Sequence, residues 1–180
     1  MVPRDFLLRS RVANFVCSLY NALLFRYTIY TEQMFVQKCG RRFVVKKTMI
    51  DKAEELLAKC EVVTLASINE EGYPRVCVIS KIKTEGIRTI WMATGTHSAK
   101  TGHFRQNPKA SVCYYLGGDS VTLLGEVEIV QDATIKRELW QDWFIAHFPQ
   151  GVDDPEYCVL RFDARQATCW INQCFETHHL

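Results

Sequence analysis

The stretch Trp91-Met92-Ala93-Thr94-Gly95-Thr96-His97-Ser98-Ala99-Lys100 holds the residues best suited to chemistry. An apolar run ends, a glycine turn presents hydroxyls, and Ser98 stands where it can cap a helix with a lysine in its first turn. The first amides of a helix lack partners within it and lie at the positive end of its dipole, so an anion such as phosphate is stabilised there. Ser98 would add a hydroxyl and Lys100 a full charge. The same residues also suit an ordinary serine-capped helix with a solvated lysine. They do not suit a Walker A loop, because Ala99 occupies the place of the second glycine and one residue is missing between Gly95 and the lysine.

A second element is Pro74-Arg75-Val76-Cys77-Val78-Ile79-Ser80, a strand pattern with an arginine at its start. Arginine offers a fork of donors matched to phosphate, and a strand backbone can hydrogen-bond the polar edge of a flat ring. Other constellations carry less. His97 and His103 fall on a turn and on the helix after it, a poor arrangement for a metal pair. The eight cysteines (17, 39, 60, 77, 113, 158, 169 and 174) form no C-x-x-C pair, so the spacing of a zinc site is missing. Cys77, Cys113 and Cys158 sit inside apolar patterns and read as small buried hydrophobes in a reduced compartment.

Taken in order, these pieces resemble the pyridoxamine 5'-phosphate oxidase-like flavoprotein superfamily, especially its general-stress-protein branch. Ser98-Ala99-Lys100 and the downstream Asn107-Pro108 match that family's S-R-K and N-P spacing. Leu124-Gly125-Glu126-Val127 and the segment Trp140 to Phe148 strengthen the match. The resemblance implies an FMN-binding domain with Arg75 and Lys100 on the FMN phosphate, helped by Ser98. Val76, Cys77, Val78 and Ser80 would line the isoalloxazine edge and Thr94 the ribityl chain. Ser120 falls where relatives often carry a flavin-contacting glutamine, and Trp170 lies on a late strand that approaches the cofactor in related dimers. Ala99 stands in place of the arginine, which implies a modest FMN affinity.

The resemblance further implies a homodimer with flavin at the interface and an FMN-dependent oxidoreductase that passes electrons from a small donor to a small acceptor. The catalytic residues stay unassigned. A non-catalytic flavin, deazaflavin or haem binding module in stress response is the alternative. The chain from Gln173 to Leu180 lacks the arginine-containing segment that true pyridoxamine phosphate oxidases use for their substrate, so vitamin B6 oxidation is not expected.

The elements that must position these residues follow from periodicity. Thr48-Met49-Ile50-Asp51 has the form of a capping box, with apolar residues at helical spacing up to about Lys59. Strands are expected over 62–68, 75–83, 88–94, 110–116 and 120–130, with a short helix over 99–106 stopped by Asn107-Pro108. Asp132 should cap a longer helix with Ile135, Leu139, Trp140, Trp143, Phe144 and His147 along one broad apolar face, the aromatics belonging to core or dimer interface. Two last strands, 157–162 and 167–171, should meet at Asp163-Ala164-Arg165, and His178-His179 reads as a solvated tail. The fold class expected is mainly β (α+β), a split antiparallel β-barrel with flanking helices, since closure removes exposed edges.

Composition sets bounds on this reading. Apolar residues make up 48% and charged residues 23%, which argues against disorder. The net charge of +2 hides an asymmetry: residues 1–48 hold nine Lys/Arg against two acids, a net of +7, and the rest holds 22 − 9 = 13 basic and 20 − 2 = 18 acidic residues, a net of −5. A nucleic-acid-binding body is thereby disfavoured. Residues 1–48 read as a basic N-terminal extension, and 49–180 as the FMN-binding domain. The longest uncharged run of the extension, Val12 to Phe25, falls short of the roughly 20 residues of a spanning helix. No membrane anchor, no metal and a cytoplasmic location are expected.

Overall fold

The computed structural model describes residues 47–180, which form one compact unit. The expected basic extension falls almost entirely outside the described residues. Thr48 caps helix α1 (Met49–Lys59) reciprocally: its Oγ1 accepts from the Asp51 amide at 3.1 Å, and its own amide donates to Asp51 Oδ2 at 2.8 Å. Met49, Ala53, Leu56 and Leu57 recur at helical spacing and are buried. Full burial of a leucine such as Leu57 contributes about 1.5 to 3 kcal/mol. Inside the core, the Tyr114 hydroxyl donates to Ala53 O at 3.2 Å.

Seven strands follow: β1 (Val62–Ile68), β2 (Pro74–Glu85), β3 (Thr89–Gly95), β4 (Lys109–Leu116), β5 (Asp119–Val130), β6 (Tyr157–Ile171) and β7 (Cys174–His179). The sheet order is β3-β2-β1-β4-β5-β6-β7, and β3 also pairs with β6. That extra pairing closes six strands into an antiparallel barrel. The barrel is split because one edge of β6 serves two partners: residues 157–163 pair with β3, and residues 166–171 pair with β7. Helix α2 (Ala99–Gln106) joins β3 to β4 and packs on β1 and β5. Helix α3 (Ala133–Glu138) and a 3-10 turn (Asp142–Ala146) lie between β5 and β6.

Three local expectations are corrected. Asp163-Ala164-Arg165 continues one strand instead of joining two. Buried Ala164 points inward between outward charges that find partners, Asp163 with Arg161 (2.9 Å) and Thr89 (3.0 Å), and Arg165 with Glu126 (2.6 Å). The strand absorbs an irregular step opposite Leu124/Gly125. A Cβ on Gly125 would lie 2.1 Å from Asp163 O, so the close approach requires glycine. His178-His179 belongs to β7, reached through a two-residue turn with Asn172 and Gln173 at φ 51° and 61°.

The long helix after Asp132 breaks at Leu139, and the chain resumes as the 3-10 turn. Packing overrides helical continuity here. Trp140, Phe144 and Phe148 all converge on buried Tyr157, with ring centroids 5.1, 5.8 and 5.3 Å away. Bulky aromatics are mediocre helix formers, and such pairs contribute roughly 0.5 to 1.5 kcal/mol each beyond their buried area. Cys158 is buried as expected, whereas Cys77 and Cys113 are only half-buried.

The outer face from β2 to β7 carries an uncharged band. One cross-strand row reads Val78, Thr64, Cys113, Thr122, Thr168, Thr177. Val76, Tyr115, Leu124, Trp170 and Phe175 flank it and are exposed. Among the described residues, no helix is long and apolar enough to cross a membrane.

Candidate functional site

The turn from Gly95 to Ser98 is held from several directions. The Thr96 amide donates to Glu156 O at 2.8 Å and its hydroxyl to Pro155 O at 2.8 Å. His97 pairs with the Glu156 carboxylate, and Arg105 donates to Thr96 O at 2.9 Å. Buried Asp154 in turn orders that loop by accepting from the Gln150 and Glu156 amides at 3.0 and 2.9 Å. Because the turn is fixed before any ligand arrives, little ordering entropy remains to oppose binding.

Ser98 caps α2. Its Oγ accepts from the Thr101 amide at 3.4 Å and lies 2.9 Å from Thr101 Oγ1 and 3.3 Å from Thr94 Oγ1. Ser98 O accepts from the Gly102 amide, which leaves the two earliest amides of the helix, Ala99 and Lys100, for an outside acceptor. Lys100 Nζ donates to Thr94 Oγ1 at 2.9 Å. Among the described residues neither Lys100 nor Arg75 forms an ion pair. Lys100 is half-buried against the turn and, among the described residues, has no ion-pair partner.

A cleft of about 370 Å³ opens here. Val78, Ile79 and Ser80 of β2 form one wall, Ala93, Thr94, Gly95 and Lys100 the floor, and Trp143, Phe144, His147 and Phe148 the other wall. One end thus offers hydroxyls, helix amides and a cation, and the other offers aromatic surface. That combination can take a flat, partly apolar molecule bearing an anion.

The expected site residues divide into three groups. Val78, Ser80, Thr94 and Lys100 line the cleft, and Ser98 braces its floor. Arg75 and Cys77 share the inward face of β2, and Val76 points outward. Lys100 acts electrostatically on the Cys77 thiol, although burial dominates and pushes that thiol above its ordinary value of 9.0. Arg75, Val76 and Cys77 are not among the residues that line the cleft beside Lys100. Ser120 and Trp170 are cross-strand partners on β5 and β6. β5 lies three strands from β2, about 14 Å at about 4.8 Å per strand.

The aromatic wall was missed by sequence reasoning. Trp143 and His147 stand one helical turn apart, and their exposure on the rim follows only once Phe144 and Phe148 are anchored on Tyr157.

Comparisons with known proteins agree with this architecture. A protein-family model described as pyridoxamine 5'-phosphate oxidase matches residues 49–171. Among solved structures, a protein related to general stress protein 26 from Clostridium acetobutylicum superposes with TM-score 0.69 at 24% identity, over 76% of this chain and 97% of its own. A heme binding protein from Mycobacterium smegmatis gives TM-score 0.62 at 16% identity, over 76% of this chain and 60% of its own. A pyridoxamine 5'-phosphate oxidase-related, FMN binding protein from Nostoc punctiforme gives 0.54 at 15%, over 73% and 92%. At these identities the likeness is one of fold. No curated protein matches the sequence. The family match covers the barrel strands together with the braced turn and α2, and on that ground the chain belongs to the pyridoxamine 5'-phosphate oxidase family.

Proposed function

We propose that the protein binds FMN as a homodimer in the cytoplasm and works as an FMN-dependent oxidoreductase on a small substrate. The observation that carries this reading is the cleft floor, where a half-buried lysine without an acid partner, two hydroxyls and two helix amides converge. Such a set is incomplete without an anion and fits the terminal phosphate of a nucleotide. Ser98 and Lys100 take the phosphate with Arg75 contributing charge, Thr94 stands by the ribityl chain, and the exposed edge of β2 from Val76 to Ser80 lies along the ring. Bound FMN would supply the hydride chemistry at its N5, and the protein orients the ring and keeps water from it.

The uncharged band on the outer sheet face supports the dimer. A second copy seated there would cover exposed Val76, Val78, Tyr115, Leu124, Trp170 and Phe175. Ser120 and Trp170, cross-strand partners on β5 and β6, lie on that band and would reach the ring of a second copy docked there.

An absorption spectrum of the purified protein tests the reading. The expected result is a flavin band bleached by NADH or NADPH and restored by an acceptor. A flavin band that no reductant bleaches favours the non-catalytic module, a Soret band favours haem, and a protein indifferent to added FMN overturns the cofactor assignment.

A further inference from the structure

Beside Lys100 and Arg75 stands a third basic side chain that the flavin reading has not used. His103 lies one turn after Lys100 in α2. At about 100° per residue, position 103 falls between positions 99 and 100 around the helix axis, and a helical side chain leans back toward the N-terminus. The imidazole therefore leans toward the opening turn, where Ala99 leaves room. Its Nδ1 is held 2.9 Å from the hydroxyl of Ser67, a buried residue of β1. Ser67 is paired in register with Arg75 of β2, so the two side chains stand on the same face as neighbours. His103 and Arg75 thus both neighbour Ser67, Lys100 lies one turn before His103 in α2, and among the described residues none of the three forms an ion pair.

We propose that His103 is a third, proton-dependent ligand of the phosphate held at the start of α2, with Ser67 as its positioning residue. This rests on the flavin reading given above. A serine hydroxyl suits the task because it can turn: it donates to Nδ1 of the neutral ring and accepts from Nδ1–H of the charged one. In both states Nε2–H remains a donor, and a proton taken up on the ring adds charge without breaking the anchor. A carboxylate in the place of Ser67 would keep the ring charged at neutral pH, and a backbone carbonyl would fix one tautomer. The charged or titratable groups on the elements around His103 are Arg75, Cys77, Lys81, Lys83 and Glu85 of β2, Lys100 and Arg105 of α2, Glu70, Glu71 and Tyr73 of the β1–β2 turn, and Asp119, Glu126 and Glu128 of β5. Glu126 and Glu128 are paired with Arg165 and Arg161, and Glu70, which accepts from Gln106, keeps its charge, so Arg75, Lys100 and Arg105 stand against Glu70 and Glu71.

The test is FMN titration by flavin fluorescence between pH 5.5 and 8.5, with riboflavin as the phosphate-free probe, on the wild type, His103→Gln, His103→Arg and Ser67→Ala. The phosphate itself titrates near pH 6, so the quantity read is each variant's affinity relative to wild type. At pH 5.5 to 6 the wild type should bind FMN roughly tenfold more tightly than His103→Gln, as for one partly exposed charge-assisted contact. The gap should close by pH 8.5. His103→Arg should match the wild type in acid and exceed it at pH 8.5, Ser67→Ala should fall between, and riboflavin should show no difference. Thermal melts of each variant ensure that only folded proteins are compared. A constant ratio across the pH range, or the same ratio with riboflavin, overturns the role of His103 and leaves the flavin reading intact. Failure of every protein to bind FMN at any pH overturns both.

Discussion

Replacing Lys100 by alanine separates anion binding from structural support. In the free protein its ammonium makes one hydrogen bond, to Thr94 Oγ1, and Thr94 keeps Ser98 Oγ as a second neighbour. No acid is stranded by the change. The loss of stability should therefore be about 1 kcal/mol, a fall in Tm of roughly 4 °C for a domain of this size. Binding should suffer more. A charge-assisted contact to phosphate contributes about 1.5 to 3 kcal/mol, and half-exposure of the lysine favours the lower part of that range. At about 1.4 kcal/mol per decade, Kd for FMN should rise roughly ten- to thirtyfold. Arg75 is exposed and should add a smaller factor, so that the double variant loses an order of magnitude or more. Titration at low and high salt provides a second readout, because the wild type should lose more affinity with added salt than the double variant. Unchanged FMN affinity in Lys100→Ala, at a Tm near wild type, would refute the phosphate assignment.

The remaining predictions concern assembly and stability. Cys113→Arg puts a charge at the centre of the uncharged band; sedimentation should show monomers with a native circular dichroism spectrum, and persistence of the dimer would remove that face from the interface. Gly125→Ala should destabilise the barrel by about 1 to 3 kcal/mol in urea melts, since the new Cβ can be relieved only by moving the β6 backbone. Stability should also fall in alkali. Burial raises Tyr114 well above its ordinary 10.0 and Tyr157 to about 12, and it raises the Cys60, Cys158 and Cys169 thiols above 9.0. Groups with raised folded values contribute fully below their unfolded values, so the urea midpoint should hold to about pH 9 and decline from there toward pH 12. A midpoint still level at pH 11 would contradict that burial.

Much of the fold could be read where local and global signals agree. The capping box and apolar spacing marked α1, alternation marked β5, and Ser98 with Asn107-Pro108 bracketed α2. The signals failed where tertiary partners decide. Asp163-Ala164-Arg165 looks like a turn until Arg161, Thr89 and Glu126 are in place to satisfy its charges. The tail at His178-His179 looks irregular until β6 presents a free edge to it, and its side chains stay largely exposed in the strand. In the candidate site, Thr94, Ser98 and Lys100 are contiguous in the chain and were legible as a unit. The aromatic wall was not, because its exposure depends on how Phe144 and Phe148 seat against a strand of distant sequence. Ser120 and Trp170 were named through family resemblance, and nothing in either local sequence pairs them.

The seam that closes the barrel joins Thr89 to Asp163 and Gly95 to Tyr157, across more than sixty intervening residues. Hairpins β1–β2, β2–β3 and β4–β5 close over short loops, so the seam carries the largest chain-entropy cost and should zip late. The braced turn at Gly95 sits at the end of that seam and borrows its support from Pro155 and Glu156 on the far side. Competence to hold a ligand should consequently arise with the last step of folding, and in refolding mixed with FMN, fluorescence quenching should track the slowest phase. Quenching in an earlier phase would mean that the turn takes shape without the seam.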